Sequence, residues 1–139
     1  SEGRYYVPSN DFSCMVSTEM FERFFLPGLR RECQFLDRSI YHLDGPGQIV
    51  HLDSILSIPE LKGVQWVPGA GAPGAGNWPD VFRKIRDAGK LVQFYGDLGD
   101  LDIVADQLGS TEGIMLIAME TEASETEIEE FLAKYKVKR

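Results

Sequence analysis

Short runs of mostly apolar residues alternate along this chain with longer segments in which apolar residues recur every three or four positions. Four of the short runs predict strands beginning near residues 39, 63, 91 and 114, because β-branched and aromatic residues dominate them and turn formers or charges bound them. A run near residues 4–7 predicts one more strand. Strands spaced 23 to 28 residues apart, with helical segments between them, are typical of parallel α/β folds.

The helical segments have recognisable ends. The first begins with Ser17 as its N-cap, and Pro27 predicts a kink or a junction between two helices near Leu26, because proline lacks a backbone donor. The apolar face predicted for this segment consists of Phe21, Phe24, Phe25, Leu29 and Cys33. The last helix begins with Ser124 and Glu127, which are spaced as a capping box.

Each of the four later strands carries polar or aromatic residues at or just after its carboxyl tip. They are His42 and Asp44, Trp66, Tyr95 and Asp97, and Glu120 and Glu122. The carboxyl ends of parallel strands meet at one edge of a sheet, so these residues are expected to gather into one site. His42 and Asp44 are two positions apart and leave the same face of a strand, so both can contact one ion or one substrate. The alternative is a hydrogen-bonded pair that caps the next helix.

Composition narrows the class of protein. A length of 139 residues with 43% hydrophobic residues fits one globular domain. The net charge of −8 disfavours nucleic acid and anionic membranes as partners. With two cysteines, no CxxC motif and no signal-like apolar start, the sequence favours a reducing cytoplasm. No apolar run reaches the roughly 18 to 20 residues of a membrane helix.

A glycine-rich stretch, residues 68–76, follows the strand near residue 63. It lacks the Gly-Lys-Ser/Thr ending of a P-loop and the glycine spacing of a dinucleotide fingerprint. Two folds remain open at this point. One is an open, doubly wound sheet that binds a phosphate-bearing ligand at this loop. The other is part of a (β/α)8 barrel, since a closed barrel takes about 250 residues.

Two stretches carry a resemblance to a known family. Residues 11–27 run from an aspartate at a strand tip to a helix with the pattern F-x-x-F-x-L-P, and they resemble a segment of the uroporphyrinogen decarboxylase superfamily. Residues 41–45 (Tyr-His-Leu-Asp-Gly) are similar to the His-x-Cys-Gly zinc motif of that superfamily's cobalamin-dependent methyltransferases. The resemblance implies that residues 1–139 form the C-terminal half of a (β/α)8 barrel, as one portion of a longer chain.

This resemblance also implies an activity. The expected enzyme is a methyltransferase or a decarboxylase whose substrate is a methyl donor, a corrinoid carried by a partner protein, or a tetrapyrrole-like carboxylate. The methyltransferases hold zinc with one His and two Cys, and here Asp44 stands in place of the first Cys. Zinc or a harder ion is therefore expected on His42, Asp44 and Glu120.

The other expected site residues lie at the predicted strand tips. His42, Asp44 and Asp11 are the predicted catalytic residues, although Asp11 also suits a capping role before the helix. Trp66, Tyr95 and Asp97 are the predicted substrate contacts, and packing is the alternative for Trp66. The family's tetrapyrrole-binding arginine and aspartate belong to the N-terminal half, so this portion alone is not expected to decarboxylate.

A different class of function remains open. A half barrel has two unpaired sheet edges and an apolar inner face, which isolated proteins seldom leave exposed. The alternative is therefore a catalytically silent module that associates with a second copy of itself or with an N-terminal half barrel.

Overall fold

A computed structural model describes residues 3–118 and 122–135 of the chain. Their centre is a sheet of five parallel strands. The strands are β1 (Tyr5–Tyr6), β2 (Arg38–Asp44), β3 (Gly63–Val67), β4 (Leu91–Tyr95) and β5 (Ile114–Ile117). The predicted strands are thereby confirmed, and β3 and β4 have the predicted bounds.

A helical connection follows each of the first four strands. The α-helices are α1 (Thr18–Met20), α2 (Leu26–Phe35), α3 (Leu52–Leu56), α4 (Pro79–Asp87), α5 (Leu98–Leu108) and α6 (Glu125–Lys134). Short 3₁₀ segments occupy Asp11–Met15, Pro46–His51 and Ala75–Asn77. This arrangement confirms an α/β fold of repeated βα units. Among the described residues, no helix is long and apolar enough to cross a membrane.

The strands lie in the sheet in the same order as in the sequence, β1-β2-β3-β4-β5. A doubly wound sheet requires a point at which the strand order reverses, and ligands bind in the crevice there. The described sheet has no such reversal. The open doubly wound alternative is therefore wrong for this part of the chain.

The two faces of the sheet differ in their covering. Tyr41, Val64, Trp66 and Phe94 point to the face on which the main core lies, and none of them is more than 1% exposed. The opposite face, called the second face below, bears the side chains that alternate with these. Some of them are exposed, including Leu91, Tyr95 and Met115. His42 and Asp44 of β2, Gln65 of β3 and Gln93 of β4 lie on this second face and look away from the main core.

The segment before β2 explains how Pro27 fits into a helix. Ser17 caps α1 by accepting a hydrogen bond from the Met20 backbone N–H, and a π-helical segment, Phe21–Phe25, joins α1 to α2. Pro27 consequently lies at the start of α2, directly after the π-helical segment, so its missing donor falls at the junction between the two helices. The predicted apolar face is only partly buried: Phe21, Leu29 and Cys33 are in the core, whereas Phe24 is 61% exposed.

Candidate functional site

Three of the predicted site residues come together at the carboxyl end of the sheet. One potential ligand atom from each of Asp11, His42 and Asp44 lies within 4.8 Å of the other two. His42 and Asp44 are on the second face of β2, and Asp11 follows β1, the neighbouring strand. This group is called the Asp/His/Asp cluster below. Its carboxylate from Asp11 is exposed, so the cluster is open to solvent.

Backbone pairing brings the segment that carries Asp11 to the tip of β2. The His42 backbone N–H donates to the Pro8 carbonyl at 2.9 Å, and Ser9 forms an isolated parallel bridge with His42. The pairing between β1 and β2 therefore extends beyond the two residues of β1. As a result, the chain reaches Asp11 beside His42, which is 31 positions later in the sequence.

Gln48 connects the segment that carries Asp11 with the segment that carries Asp44 through hydrogen bonds. Its side chain is 1% exposed, accepts a hydrogen bond from the Asp44 backbone N–H at 3.3 Å and donates to the Asn10 carbonyl at 3.2 Å. Asn10 directly precedes Asp11. One buried amide thus connects the backbone beside Asp11 with that of Asp44.

The 3₁₀ segment that contains Asp11 is held from its other end by His51. The His51 side chain is fully buried, and its Nε2 lies 2.9 Å from the Ser13 carbonyl oxygen. A carbonyl only accepts, so this nitrogen carries the proton. The ring also stacks on Phe21 of the π-helical segment, with 4.4 Å between ring centroids. The backbone on both sides of Asp11 is therefore held by hydrogen bonds, at the Asn10 and Ser13 carbonyls.

His42 is held from the second face by a glutamine. Its Nδ1 lies 2.6 Å from Gln65 Oε1 on β3, whose Nε2 donates to Gln93 Oε1 on β4 at 2.6 Å. Gln93 Nε2 in turn donates to Met115 Sδ on β5 at 2.7 Å. These four residues occupy one register level of four adjacent strands. Nε2 of His42 has no hydrogen bond to any described residue.

The remaining predicted site residues lie in different environments. Trp66 is fully buried on the main-core face and packs edge-on against Trp78, so it is part of the core. Tyr95 lies on the second face, with its hydroxyl 3.4 Å from Gln65 Nε2. Asp97 caps α5 in a capping box with Asp100. Glu120 lies outside the described residues.

Tyr41, whose hydroxyl has a raised pKa, lies behind the cluster on the main-core face of β2. Burial raises the pKa of Tyr41 to about 12, and Ser13 and the Asn10 backbone oppose only a smaller part of that rise. Neither of them forms a hydrogen bond of ordinary geometry with the hydroxyl. Tyr41 is therefore a neutral phenol at physiological pH and adds no charge to the site.

The donor set of the cluster suits a divalent ion. One imidazole and two carboxylates are ligands for zinc and for harder first-row ions. Two atoms that each lie about 2.1 Å from one zinc ion are separated by at most about 4.2 Å. The three residues therefore fit a metal after a small inward movement, which the exposed side chain of Asp11 permits.

Cysteine does not contribute to this donor set. The exposed thiol of Cys14 lies close to the cluster in sequence, but its Sγ is directed to the Asp11 carbonyl oxygen at 3.2 Å. The described cluster thus differs from a thiolate-rich zinc site.

The chain matches no protein-family model and no curated protein. The resemblance to the uroporphyrinogen decarboxylase superfamily accordingly remains a prediction from residues 11–27 and 41–45.

Three glutamines of the site are not among the residues predicted from the sequence: Gln48, Gln65 and Gln93. A signal for two of them was present, because Val-Gln-aromatic occurs at matching positions of β3 and β4. A buried glutamine at the same level of two adjacent strands predicts an amide pair. Nothing in the sequence around Gln48 marks it in this way.

Proposed function

We propose that this chain is the C-terminal half of a uroporphyrinogen decarboxylase-like (β/α)8 barrel and supplies a metal-binding site to an enzyme that transfers methyl groups. One observation carries the proposal: Asp11, His42 and Asp44 lie together at the carboxyl end of a parallel sheet. Active sites of barrels built from βα units lie at that end. The consecutive strand order supports the barrel, because each strand of a barrel pairs with the next one in the chain.

Each residue of the cluster has a role in this proposal. His42 offers an imidazole nitrogen, and Asp11 and Asp44 offer carboxylates that balance the charge of a divalent ion. A bound zinc ion would lower the pKa of a thiol or a water and so supply a nucleophile near neutral pH. Gln48 keeps the segments of Asp11 and Asp44 in register. The substrate class is a methyl donor, or a corrinoid presented by a partner protein.

The test is metal content measured by elemental analysis of the purified protein, before and after incubation with zinc. One bound ion per chain is expected, and it should be lost in His42→Ala and reduced in Asp44→Asn. Asp53→Asn is the matched control, because Asp53 is an exposed aspartate that pairs with Lys84 outside the cluster. If wild type and His42→Ala are both folded and bind no metal, the proposal is refuted and a decarboxylase-like acid–base pocket becomes the better reading.

A second candidate function is a half-barrel assembly module without catalysis. It is favoured by the second face, where Leu91 is 47% and Met115 is 54% exposed. Both edge strands of the described sheet, β1 and β5, also offer one side to another strand. Sedimentation velocity tests it: self-association that Leu91→Glu abolishes is expected, and a monomer at all concentrations contradicts pairing between copies.

A further inference from the structure

A continuous row of hydrogen-bonded side chains crosses the second face of the sheet. Called the amide row here, it consists of His42, Gln65, Gln93 and Met115, one from each of β2 to β5. Gln65 and Gln93 are each only 6% exposed. Because buried amide groups are almost always hydrogen-bonded, the orientation of each member constrains its neighbours.

The chemistry of its last member gives the amide row one direction. A thioether sulfur can accept a hydrogen bond but has no proton to donate. Gln93 must therefore present its NH₂ group to Met115 and its oxygen to Gln65. Gln65 then presents its own NH₂ group to Gln93 and its oxygen to His42.

The same logic fixes the proton on the imidazole. The Gln65 oxygen can only accept, so Nδ1 of His42 must be the protonated nitrogen. If Gln65 were reversed, its oxygen would face the oxygen of Gln93. Reversing Gln93 as well would place its oxygen against the sulfur of Met115, with no donor for it there. Only one orientation pairs every amide group along the row.

We infer that the amide row sets the tautomer of His42, with the proton on Nδ1, so that Nε2 is the nitrogen offered to a metal ion or a substrate proton. Gln65 and Gln93 are then positioning residues, and Met115 determines the direction of the row. The part of this inference that concerns a metal rests on the proposed function. The tautomer itself does not, because it follows from hydrogen bonds that exist without an ion. Metal-binding histidines in proteins are commonly oriented through their second nitrogen in this way.

The experiment is a long-range ¹H–¹⁵N correlation spectrum of the metal-free protein, labelled at histidine, at about pH 8.5, which is well above the ordinary imidazole pKa of about 6.5. The ¹⁵N shifts distinguish a protonated nitrogen from an unprotonated one. Wild-type His42 is expected to carry its proton on Nδ1. A proton on Nε2 in the wild-type protein overturns the inference.

Three variants test the individual members of the row. Gln65→Glu retains an acceptor and should keep the proton on Nδ1, whereas Gln65→Leu should let the two tautomers compete. Met115→Leu removes only the terminal acceptor and should also lower the Nδ1-protonated fraction. If Met115→Leu leaves the tautomer unchanged, the thioether does not direct the row. Gln107→Leu is the control, because Gln107 bonds the Gly76 carbonyl and takes no part in the row.

A zinc titration by calorimetry separates the inference from the proposed function. If wild type binds zinc, Gln65→Leu is expected to bind it about 10- to 100-fold more weakly, which is the usual effect of removing such a partner. Gln65→Glu and Gln107→Leu should stay close to wild type. Wild-type protein with an Nδ1-protonated His42 and no zinc affinity would refute the metal site and leave the tautomer assignment standing. Equal zinc affinity in wild type and a folded Gln65→Leu would overturn the positioning role.

Discussion

Replacing Gln48 with leucine tests whether this residue positions the Asp/His/Asp cluster in addition to stabilising the fold. The side chain forms two hydrogen bonds, one from the Asp44 backbone N–H and one to the Asn10 carbonyl. Leucine has a similar volume but can form neither bond. The Asp44 backbone N–H then loses its partner in a region where Gln48 itself is 1% exposed, whereas the Asn10 carbonyl still accepts from the Ser13 backbone N–H.

The magnitude follows from the bond that Asp44 loses. Leaving one buried polar group, the Asp44 N–H, without its partner costs about 1 to 3 kcal/mol, so we expect Gln48→Leu to lower the free energy of unfolding by about that amount. A domain of this size is typically stable by about 5 to 15 kcal/mol, and the variant should therefore remain folded with a melting temperature roughly 10 °C lower. Its zinc affinity should fall by about 10- to 100-fold, since Asp11 and Asp44 are no longer held together.

The assay combines urea denaturation with zinc titration by calorimetry. Lys90→Met is the matched control, because Lys90 directly precedes β4 and lies at the amino end of the sheet, away from the cluster. The control should lose a similar amount of stability and keep the zinc affinity of the wild type. If Gln48→Leu loses stability but binds zinc as tightly as wild type, Gln48 does not position the cluster.

Three further predictions concern buried groups outside the cluster. Lys90 donates to the carbonyls of Ile58, Pro59 and Leu61 at 2.8, 3.3 and 2.7 Å. Lys90→Met should therefore lower the free energy of unfolding by about 3 kcal/mol in urea, whereas Lys62→Met, at an exposed lysine, should change it by less than about 0.5 kcal/mol. The folded-state pKa of Tyr41, about 12, is raised, so its contribution to stability is complete below the ordinary value near pH 10 and is lost as the pH rises toward 12. Above about pH 10, the free energy of unfolding of wild type should therefore fall relative to that of Tyr41→Phe, as measured by denaturation curves. A difference between the two proteins that stays constant with pH would contradict this. Burial raises the pKa of the Cys33 thiol, and Cys14 is exposed, so iodoacetamide followed by mass spectrometry should modify Cys14 first; equal rates would show that Cys33 is accessible.

The strands and helix ends were accessible from the sequence because they depend on local patterns. β3 and β4 are short apolar runs bounded by glycine or charge, and α6 begins with the capping box that Ser124 and Glu127 predict. The exposure of individual side chains was harder to predict from the sequence. Phe24 fits a helical apolar stripe, but the π-helical segment Phe21–Phe25 changes the angular spacing, and Phe24 is left facing solvent.

The pairing of His42 with Asp44 follows from the sequence alone, since residues two apart in a strand always share a face. When apolar residues occur at both odd and even positions of a strand, the sequence does not decide which face of the strand meets the helices. Gln65 and Trp66 are adjacent in such a strand, and tertiary packing places Trp66 in the core and Gln65 beside His42.

Local pattern therefore determined the βα order and the polar tip of β2, because backbone geometry acts over a few residues. Only the tertiary structure brought Asp11 to His42 and linked Gln65 to Met115 across three strands. Such contacts depend on strand order and register, and these are fixed by the packing of the whole sheet and not by any single segment.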